Sequence, residues 1–452
     1  MKKKIEQVAK WLGIKTNLKD IEVTGASINT RTLNPGDLFV PFRGEKVNGH
    51  QYVRQAIEAG ASASLWQRDE PNPPSDLPLL IVDDCKIALQ EMARAYRDEL
   101  STTFIGITGS NGKTSTKDLV ASVLKPYFKV QKTQGNFNNE LGMPLTILSL
   151  DTDTKFAVLE MGMSEFGEIQ FLSELARPDY AIITNIGEAH MENLGSREGI
   201  AQAKFEITAG LETHGKLFYD GDEPLLRPHV KNFFQAVSFG FDEENELTVT
   251  DIKATENGSS FMVSGIIDAA FTIPVLGDHQ VKNTLAAILI ALEAGLSEEE
   301  IRKSLKDAAL TDMRMQIIPA KNGATFINDA YNAAPSSVKA ALNFIRETTM
   351  KEDKWVVLGD MLELGDQERE YHEGLGKSIS SELTGVCLYG PRMKWLHEKL
   401  ELSFKGKLLW TESDYEPIIT LLEENISADS IILVKGSRGM ALEHVIEPFT
   451  EQ

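Results

Sequence analysis

Cysteine is nearly absent from this chain of 452 residues, which contains only Cys85 and Cys387. The two lie far apart in sequence and lack the close pairing of metal-binding motifs. This excludes both a disulfide framework and a cysteine zinc site. Chains without disulfides are typical of reducing compartments, and we expect this protein to work in one.

Long apolar runs are missing as well. No segment approaches the roughly 18 apolar residues of a membrane-spanning helix. The N-terminal stretch "MKKKIEQVAKWLGIK" begins with lysines, as a secretory signal does, but Glu6, Gln7 and Lys10 interrupt its apolar residues. The stretch predicts an amphipathic helix, and we expect a cytoplasmic protein without a membrane span.

Positive charge is scarce: 46 lysines and arginines stand against 67 aspartates and glutamates, which gives a formal net charge of -21. Such an acidic chain has no general affinity for nucleic acid or for an anionic membrane. Any anionic substrate must therefore be held by local groups.

The sequence has no repeat of fixed period and no low-complexity tract. Its composition, 42% hydrophobic and 25% charged, is typical of a soluble globular protein. A prior of roughly 150 residues per domain predicts about three domains. We place them at residues 1–100, 101–312 and 313–452.

Short apolar runs alternate with helical stretches from residue 101 to about 310, as in stacked βαβ units. Predicted strands here include "TFIGIT", "FAVLEMG" and "YAIITNIG". A similar block follows, with strands at "ATFINDAY", "KWVVLGDM", "GVCLYG" and "IILVKGSRG" that end in polar loops, where open α/β sheets bind ligands. In the first hundred residues Leu38 to Val40 reads as a strand and Arg43 to His50 as a polar loop. The fold class is α/β.

A strict phosphate-binding motif is also lacking, because Ile107 stands where the pattern requires its first glycine. What remains is "GITGSNGKTSTKD", with three glycines at three-residue spacing followed by Lys113, Thr114 and Ser115. The loop lies between a predicted strand and a predicted helix, where backbone N–H groups and the helix N-terminus favour phosphate. Lys113 would reach the terminal phosphates and a hydroxyl would serve magnesium. The alternative is a glycine-rich turn with an exposed lysine.

Two polar residues follow predicted strands near this loop. Glu160 ends "FAVLE", where a magnesium ligand is wanted, and His190 follows "YAIITNIG". A solvated carboxylate and a structural histidine are the ordinary interpretations. Close to bound phosphates, however, the two side chains could share a metal ion.

Lys204 lies in the predicted helix "REGIAQAKFEITAG", four residues after Ile200 and three before Ile207, and hence on the apolar face of the helix. One interpretation is a lysine whose amine reaches water past that face. The other interpretation is a chemically modified lysine, because desolvation favours the neutral amine, which is the reactive form.

Several further polar residues stand at predicted strand ends or domain joins. Asn283 stands near the start of a long apolar helix, and capping of that helix or a surface position is its ordinary interpretation. Arg314 falls at the join of the second and third predicted domains. It could contact a phosphate there, or form an ion pair between the domains. The third predicted domain adds strand-end residues at Asp329, Asn332 and the run from Lys435 to Gly439. A basic strand-end loop suits an anionic substrate, against the alternative of simple solvation.

Taken together, the motifs "GSNGKTS", "AKFEI", "TQGNFNNELGMP", "INDAYNAAP", "LGDMLELG" and "KGSRGM" resemble the Mur ligase family over nearly all of the chain. The resemblance implies three domains: a small N-terminal α/β substrate domain, a central P-loop ATPase-like α/β domain and a C-terminal Rossmann-like α/β domain. It also implies an ATP- and Mg²⁺-dependent ligase that joins D-alanyl-D-alanine to UDP-N-acetylmuramoyl-tripeptide through an acyl phosphate, in peptidoglycan synthesis. We expect a monomer.

The resemblance also assigns roles to individual residues. Glu160, His190 and a carbamylated Lys204 would hold metal together with Thr114, and with Lys113 they would form the catalytic set. The expected ATP contacts are Gly109, Ser110, Asn111, Gly112, Lys113, Thr114, Ser115, Asn283, Arg314, Asp329 and Asn332. The expected substrate contacts are Arg31, His50, Asn136, Asn138, Asn139, Lys435, Ser437 and Arg438.

The sequence departs from the family pattern in its first hundred residues, where the family often has Asp-Ser-Arg and Asp-Gly-His but this chain has "NTR" and "NGH". Both changes remove a carboxylate beside Arg31 and His50. Two other functions remain open: a different ligase of the superfamily, such as a folylpolyglutamate synthase, and an ATP-binding module that senses cell-wall precursors. The large segment before the glycine loop disfavours the first, and the joint presence of Lys113, Glu160, His190 and Lys204 disfavours the second.

Overall fold

The computed structural model describes residues 1–44, 47–188, 191–231, 233, 235–255 and 257–450. None of the helices in these ranges has the length and apolar character of a membrane span.

The first hundred residues form a small α/β arrangement. Strands β3 to β6 make a four-stranded parallel sheet in the order β3-β4-β5-β6, and β1 pairs with β2 antiparallel. The elements are β1 (Lys3–Lys4), α1 (Ile5–Trp11), β2 (Glu22–Val23), β3 (Gly25–Ser27), β4 (Asp37–Phe39), α2 (Val53–Glu58), β5 (Ala63–Gln67), β6 (Leu79–Val82) and α3 (Cys85–Asp98).

The predicted N-terminal amphipathic helix is confirmed as α1, which buries Ile5, Val8 and Ala9. The strand predicted at Leu38 to Val40 is present as Asp37–Phe39, one residue earlier at both ends. Beneath the sheet, Phe39, Val53 and Trp66 share a small apolar core.

The next stretch opens with alternating strands and helices and continues into a hairpin region. Its elements are β7 (Thr103–Thr108), α4 (Lys113–Leu124), β8 (Val130–Lys132), α5 (Gly142–Leu148), β9 (Phe156–Glu160), α6 (Glu168–Ala176), β10 (Tyr180–Ile183), α7 (Met191–Leu194), α8 (Arg197–Phe205), β11 (Lys216–Asp220), α9 (Arg227–Val230), β12 (Ala236–Gly240), β13 (Leu247–Thr255), β14 (Gly258–Gly265), β15 (Ala269–Ile273), α10 (Asp278–Glu293) and α11 (Glu298–Lys306).

The expectation of stacked βαβ units throughout this stretch is wrong for its second half, because β13, β14 and β15 pair antiparallel. Their burial alternates, as in a sheet with one covered face: Phe261 and Val263 are buried, while Met262 between them is 40% exposed. The Asn-Gly pair at Asn257 is a common hairpin signal in the sequence, independent of the spacing of apolar runs.

The remaining elements form a six-stranded sheet in the order β16-β17-β21-β18-β19-β20, parallel except for β16. They are β16 (Gln316–Pro319), β17 (Thr325–Asn328), α12 (Pro335–Glu347), β18 (Asp353–Gly359), α13 (Glu368–Gly374), β19 (Gly385–Tyr389), α14 (Met393–Leu400), β20 (Lys407–Thr411), α15 (Glu416–Asn425), β21 (Ser430–Lys435) and α16 (Glu443–Ile446).

Both faces of this sheet are covered. Along β18, Val356 and Leu358 belong to one buried cluster, whereas Trp355 and Val357 belong to another. Because successive side chains of a strand point to opposite faces, helices must pack on each side, as in a doubly wound fold. The strands predicted for this part of the chain are confirmed.

The chain folds into two compact units. The first contains Met1–Thr108, Tyr127–Ile182 and Glu206–Lys216, and the second contains Gly109–Pro126, Ile183–Phe205 and Leu217–Gln452. In the first unit β10, β7, β9 and β8 are neighbours in that order. The second unit holds the glycine loop, the hairpin strands and the six-stranded sheet.

Candidate functional site

The glycine loop of the second unit takes a conformation that requires glycine at two positions. Gly112 caps α4 with φ +78°, and a Cβ there would lie 2.6 Å from Oδ1 of Asn283. At Gly109, where φ is +152°, a Cβ would lie 1.8 Å from Oγ1 of Thr184. The loop therefore leads directly into a helix N-terminus, the arrangement that binds phosphate.

Residues from the end of β10 hold the loop in place. Thr184 donates from Oγ1 to the carbonyl of Asn111 at 2.5 Å, and the Asn111 N–H donates to Oδ1 of Asn185 at 2.9 Å. Ser110 accepts at Oγ from the Gly187 N–H at 2.8 Å. The supporting roles of Thr184, Asn185 and Gly187 were not predicted, although the predicted strand "YAIITNIG" ends in these residues. A loop fixed in this way is organised before any ligand arrives.

Lys113 opens α4 and points back across the loop, donating from Nζ to the Gly109 carbonyl at 2.8 Å. Thr114 and Ser115 are buried in the first turn of α4. An ammonium and two hydroxyls therefore stand at one helix N-terminus.

Lys204 is buried near the end of α8, with 2% of its surface exposed. Burial lowers its pKa well below the ordinary value of 10.5, and the positive charge of Lys113 lowers that pKa further. This shift favours the neutral amine, which is the form that can react with an electrophile.

Asn283 lies in α10 with its amide against Gly112, and is buried. Its Nδ2 donates to Oε1 of Gln280 at 3.4 Å. Asn111 also reaches α12, donating from Nδ2 to Oγ of Ser336 at 3.2 Å. The structure thus brings Asn283 to the loop.

Arg314 stacks on Tyr331, with its guanidinium carbon 4.2 Å from the ring centroid. Its Nε is buried and has no hydrogen-bond partner within the part of the chain that the structure describes. A guanidinium held by stacking alone keeps donors for an anionic ligand.

Asp329 and Lys435 form a buried ion pair, with Nζ 2.6 Å from Oδ2. Lys435 also donates to the carbonyl of Asn332 at 2.9 Å. With Lys435 only 2% exposed, its ammonium is occupied inside the sheet edge. Lys435 therefore connects the ends of β21 and β17 at this edge and presents no free charge to solvent.

The loop after β21 carries the other two predicted substrate residues. Ser437 is buried and accepts at Oγ from the Leu362 N–H at 2.9 Å. Arg438 is half-exposed, and its Nη1 lies 2.7 Å from Oε1 of Glu443.

A cavity of about 650 Å³ opens in the second unit beside the loop. Its wall includes Asn111, Gly187, Phe241, Lys282 and Ser336. Small-molecule sites occupy roughly 300 to 1,000 Å³, so a nucleotide is compatible with this space.

In the first unit Glu160 ends β9 and is buried, with 4% of its surface exposed. Its N–H donates to Oγ1 of Thr133 at 3.0 Å, and its Oε1 accepts from Nδ2 of Asn138 at 3.0 Å. The carboxylate is thus oriented at the end of a strand, as a metal ligand must be.

The other two asparagines of this loop differ from Asn138. Asn139 accepts at Oδ1 from the backbone N–H groups of Leu141 and Gly142, at 3.2 and 2.9 Å, and so supports the start of α5. Asn136 is exposed.

His50 is buried, and both of its ring nitrogens have protein partners. Nδ1 lies 2.9 Å from Oδ1 of Asn48, and Nε2 accepts from the Gln67 N–H at 3.1 Å. Burial lowers the pKa of His50, so the neutral ring is favoured. Arg31, in contrast, has an exposed side chain.

His190 lies outside the described residues. Among those described, no group of three histidine, cysteine, aspartate or glutamate side chains is arranged to hold a metal ion. Carboxylate and hydroxyl oxygens such as those of Glu160 and Thr114 are nonetheless the hard donors that Mg²⁺ prefers.

Comparison with known proteins shows which family the chain is similar to. Three family models match: "Mur ligase family, catalytic domain" at residues 22–97, "Mur ligase middle domain" at 107–291 and "Mur ligase, glutamate ligase domain" at 313–438. The chain is 43% identical over 450 residues to the UDP-N-acetylmuramoyl-tripeptide--D-alanyl-D-alanine ligase of Bacillus subtilis, covering 99% of this chain and 98% of that protein.

Solved structures are similar over nearly the full length. The MurF crystal structure from Acinetobacter baumannii matches with a TM-score of 0.88 at 28% identity, covering 99% of this chain and 98% of that one. The MurF ligase of Thermotoga maritima in complex with ADP matches with a TM-score of 0.84 at 28% identity, covering 95% of this chain and 98% of that one.

Proposed function

Since the chain belongs to the Mur ligase family, we propose that it joins D-alanyl-D-alanine to UDP-N-acetylmuramoyl-tripeptide at the expense of ATP. The product is the UDP-muramoyl-pentapeptide used in peptidoglycan synthesis. One observation carries the proposal: the loop from Gly109 to Lys113 has a conformation suited to binding phosphate. It does so in a chain that aligns over nearly its full length with the UDP-N-acetylmuramoyl-tripeptide--D-alanyl-D-alanine ligase of Bacillus subtilis.

The reaction must activate a carboxylate, because a carboxylate is a poor electrophile towards an amine. In the proposed mechanism an oxygen of the tripeptide's terminal carboxylate attacks the γ-phosphorus of ATP, and ADP leaves. The neutral amine of the dipeptide then attacks the resulting acyl phosphate, and phosphate departs from a tetrahedral intermediate. Lys113 and the loop N–H groups stabilise the anionic charge, while the bound substrates are held in contact.

Magnesium fits the donors present. Thr114 would hold one ion beside the phosphates, and Glu160, His190 and a carbamylated Lys204 would supply the other ligands. A bound Mg²⁺ neutralises phosphate charge as a Lewis acid. The neutral amine of Lys204 can attack CO₂, forming an N–C bond and releasing one proton, and a carbamate provides the oxygen donors that an amine lacks.

The remaining residues divide between the substrates. Asn283, Arg314, Asp329 and Asn332 are proposed ATP contacts, directly or through the sheet edge that they shape. The residues proposed for the UDP-peptide and the dipeptide, by direct contact or by supporting the loops that make it, are Arg31, His50, Asn136, Asn138, Asn139, Lys435, Ser437 and Arg438. We further propose three domains at residues 1–100, 101–312 and 313–452, and a monomer acting in the cytoplasm.

Mass spectrometry of the products tests the proposal. The purified protein is incubated with ATP, Mg²⁺, UDP-N-acetylmuramoyl-tripeptide and D-alanyl-D-alanine, omitting one component at a time. We expect the UDP-muramoyl-pentapeptide with equal amounts of ADP and phosphate, only in the complete mixture. Tripeptide binding without product would support a sensor, and product with a different acid and amine would redefine the substrate.

A further inference from the structure

The segment from Ala309 to Thr311, which we call the linker, precedes Arg314 and is hydrogen-bonded to α4, the helix that follows the phosphate loop. Asp118, in α4, is fully buried and accepts two hydrogen bonds at Oδ2 from Thr311: one from the N–H at 2.8 Å and one from Oγ1 at 2.6 Å. One turn further along α4, Ser122 donates from Oγ to the Ala309 carbonyl at 3.1 Å and accepts from the Ala309 N–H at 3.2 Å. Two residues of one helix therefore hold this linker.

The Asp118 carboxylate is held strongly. The ammonium of Lys117 lies 3.8 Å from its other oxygen, Oδ1. Hydrogen bonds to an ionised carboxylate are shorter and stronger than those between neutral groups. An amide at this position keeps one acceptor oxygen, but it removes the negative charge that strengthens the bonds from Thr311 and places an NH₂ donor where Oδ1 faces the ammonium of Lys117.

Beyond Thr311 the backbone is strained around Arg314. Met313 and Met315 have φ of +63° and +54°, in the left-handed region that non-glycine residues avoid. The Tyr331 N–H donates to the Met313 carbonyl at 3.2 Å, and the Met315 N–H donates to Oδ1 of Asp329 at 3.2 Å. Such strain persists only where surrounding contacts enforce it, and here it determines where Arg314 projects.

We propose that Asp118 is a positioning residue for Arg314. By fixing Thr311 to the helix that starts at the phosphate loop, it places the guanidinium of Arg314 for the phosphates of ATP held in that loop. The inference rests on the proposed function. It deepens that function because it names a residue without substrate contact on which phosphoryl transfer depends.

A double-mutant cycle tests this role in the full-length enzyme. Asp118→Asn, Arg314→Ala and the double variant are compared with the parent protein by kcat for pentapeptide formation. We expect Asp118→Asn alone to lower kcat about tenfold, since small misplacements of a catalytic group are costly, while the KM for the UDP-tripeptide changes less than twofold. In the Arg314→Ala background the same substitution should change kcat less than twofold.

Equal losses in both backgrounds would show that Asp118 acts independently of Arg314 and would overturn the proposal, as would full activity of Arg314→Ala. A parent protein that forms no pentapeptide would instead overturn the proposed function, before the cycle is measured. The two failures are therefore distinct.

Thr311→Val is the second variant, because it removes only the hydroxyl donor and serves if Asp118→Asn does not fold. Its matched control is Thr102→Val, which removes a buried hydroxyl that donates to the Thr154 carbonyl at 2.7 Å. We expect both valine variants to have a lower Tm but only Thr311→Val to have a lower kcat. A similar loss of kcat in Thr102→Val would assign the effect to general destabilisation and overturn the positioning role.

Discussion

Asn283 lies so close to Gly112 that a Cβ on residue 112 would come within 2.6 Å of the asparagine's amide oxygen and 2.9 Å of its nitrogen. The glycine is thus required twice, by its φ of +78° and by this contact. The phosphate loop and α10 consequently pack closely, and any side chain at residue 112 would collide with the amide of Asn283.

Gly112→Ala should therefore reduce ATP binding. The alanine Cβ must displace Asn283 or shift the loop, and we expect the KM for ATP to rise about tenfold or more, with a Tm reduced by several degrees. The control is Gly167→Ala, since Gly167 also caps a helix, α6, at a φ of +85° but has nothing within 4 Å of its would-be Cβ. Equal KM values for the two variants would contradict the contact argument.

Lys113→Ala should abolish pentapeptide formation. The ammonium lies across the loop, 2.8 Å from the Gly109 carbonyl, so the substitution removes a positive charge from the loop. We expect a loss of at least about a thousandfold in kcat, typical of a group that stabilises transferring phosphate. Lys125→Ala, at the exposed opposite end of α4, is the matched control and should keep its activity. Near-normal turnover of Lys113→Ala would refute the assigned role.

The buried pair of Lys435 and Asp329 should stabilise the C-terminal sheet edge in a way that an exposed pair does not. Lys435→Ala leaves a carboxylate buried without its partner, and we expect the free energy of unfolding to fall by about 3 to 5 kcal/mol. The comparison is Lys86→Ala, which removes a pair with Glu140 that is 40 to 47% exposed and should cost less than about 1 kcal/mol. Chemical denaturation measures both free energies of unfolding. Similar losses would mean that burial does not determine how much an ion pair contributes to stability.

Much of this architecture follows from local sequence pattern. Apolar runs such as "TFIGIT" and "KWVVLG" form strands because they are buried on both faces, and polar residues at their ends lie at the ligand-binding edge. Lys204 could be identified in the same way, since helical spacing alone places it on a buried face. The ion pair of Lys435 could not, because its partner is 106 residues away.

The contacts that position the site depend on long-range packing. Thr184 and Asn185 support a loop more than 70 residues earlier in the chain, and Asp118 binds a linker 193 residues later. The hairpin strands β13 and β14 were not predicted for a simpler reason: β13 is buried only at its start and the burial of β14 alternates with a period of two, whereas the βαβ interpretation rested on buried apolar runs.

The lowered pKa of Lys204 makes a prediction about stability and pH. In the folded protein its amine stays neutral at pH values where the same lysine in the unfolded chain carries a proton. The unfolded state then binds more protons, so the free energy of unfolding rises with pH between the lowered pKa and the ordinary value of 10.5. The Lys204→Met variant has no titratable amine at this position. The stability of the parent protein relative to this variant should therefore increase as the pH rises towards 10.5, by up to about 1.4 kcal/mol per pH unit.

Denaturation curves of both proteins in CO₂-free buffer measure the difference, with Lys125→Met as the control because that exposed lysine should give a flat profile. A pH-independent difference for Lys204→Met would mean that the amine is charged despite its burial.

A second experiment, with bicarbonate, tests whether Lys204 is carbamylated. If the neutral amine is carbamylated to serve as a ligand, adding bicarbonate should raise the turnover of CO₂-depleted parent enzyme and leave that of Lys204→Met unchanged, because only the parent protein has a nitrogen for CO₂ to bind.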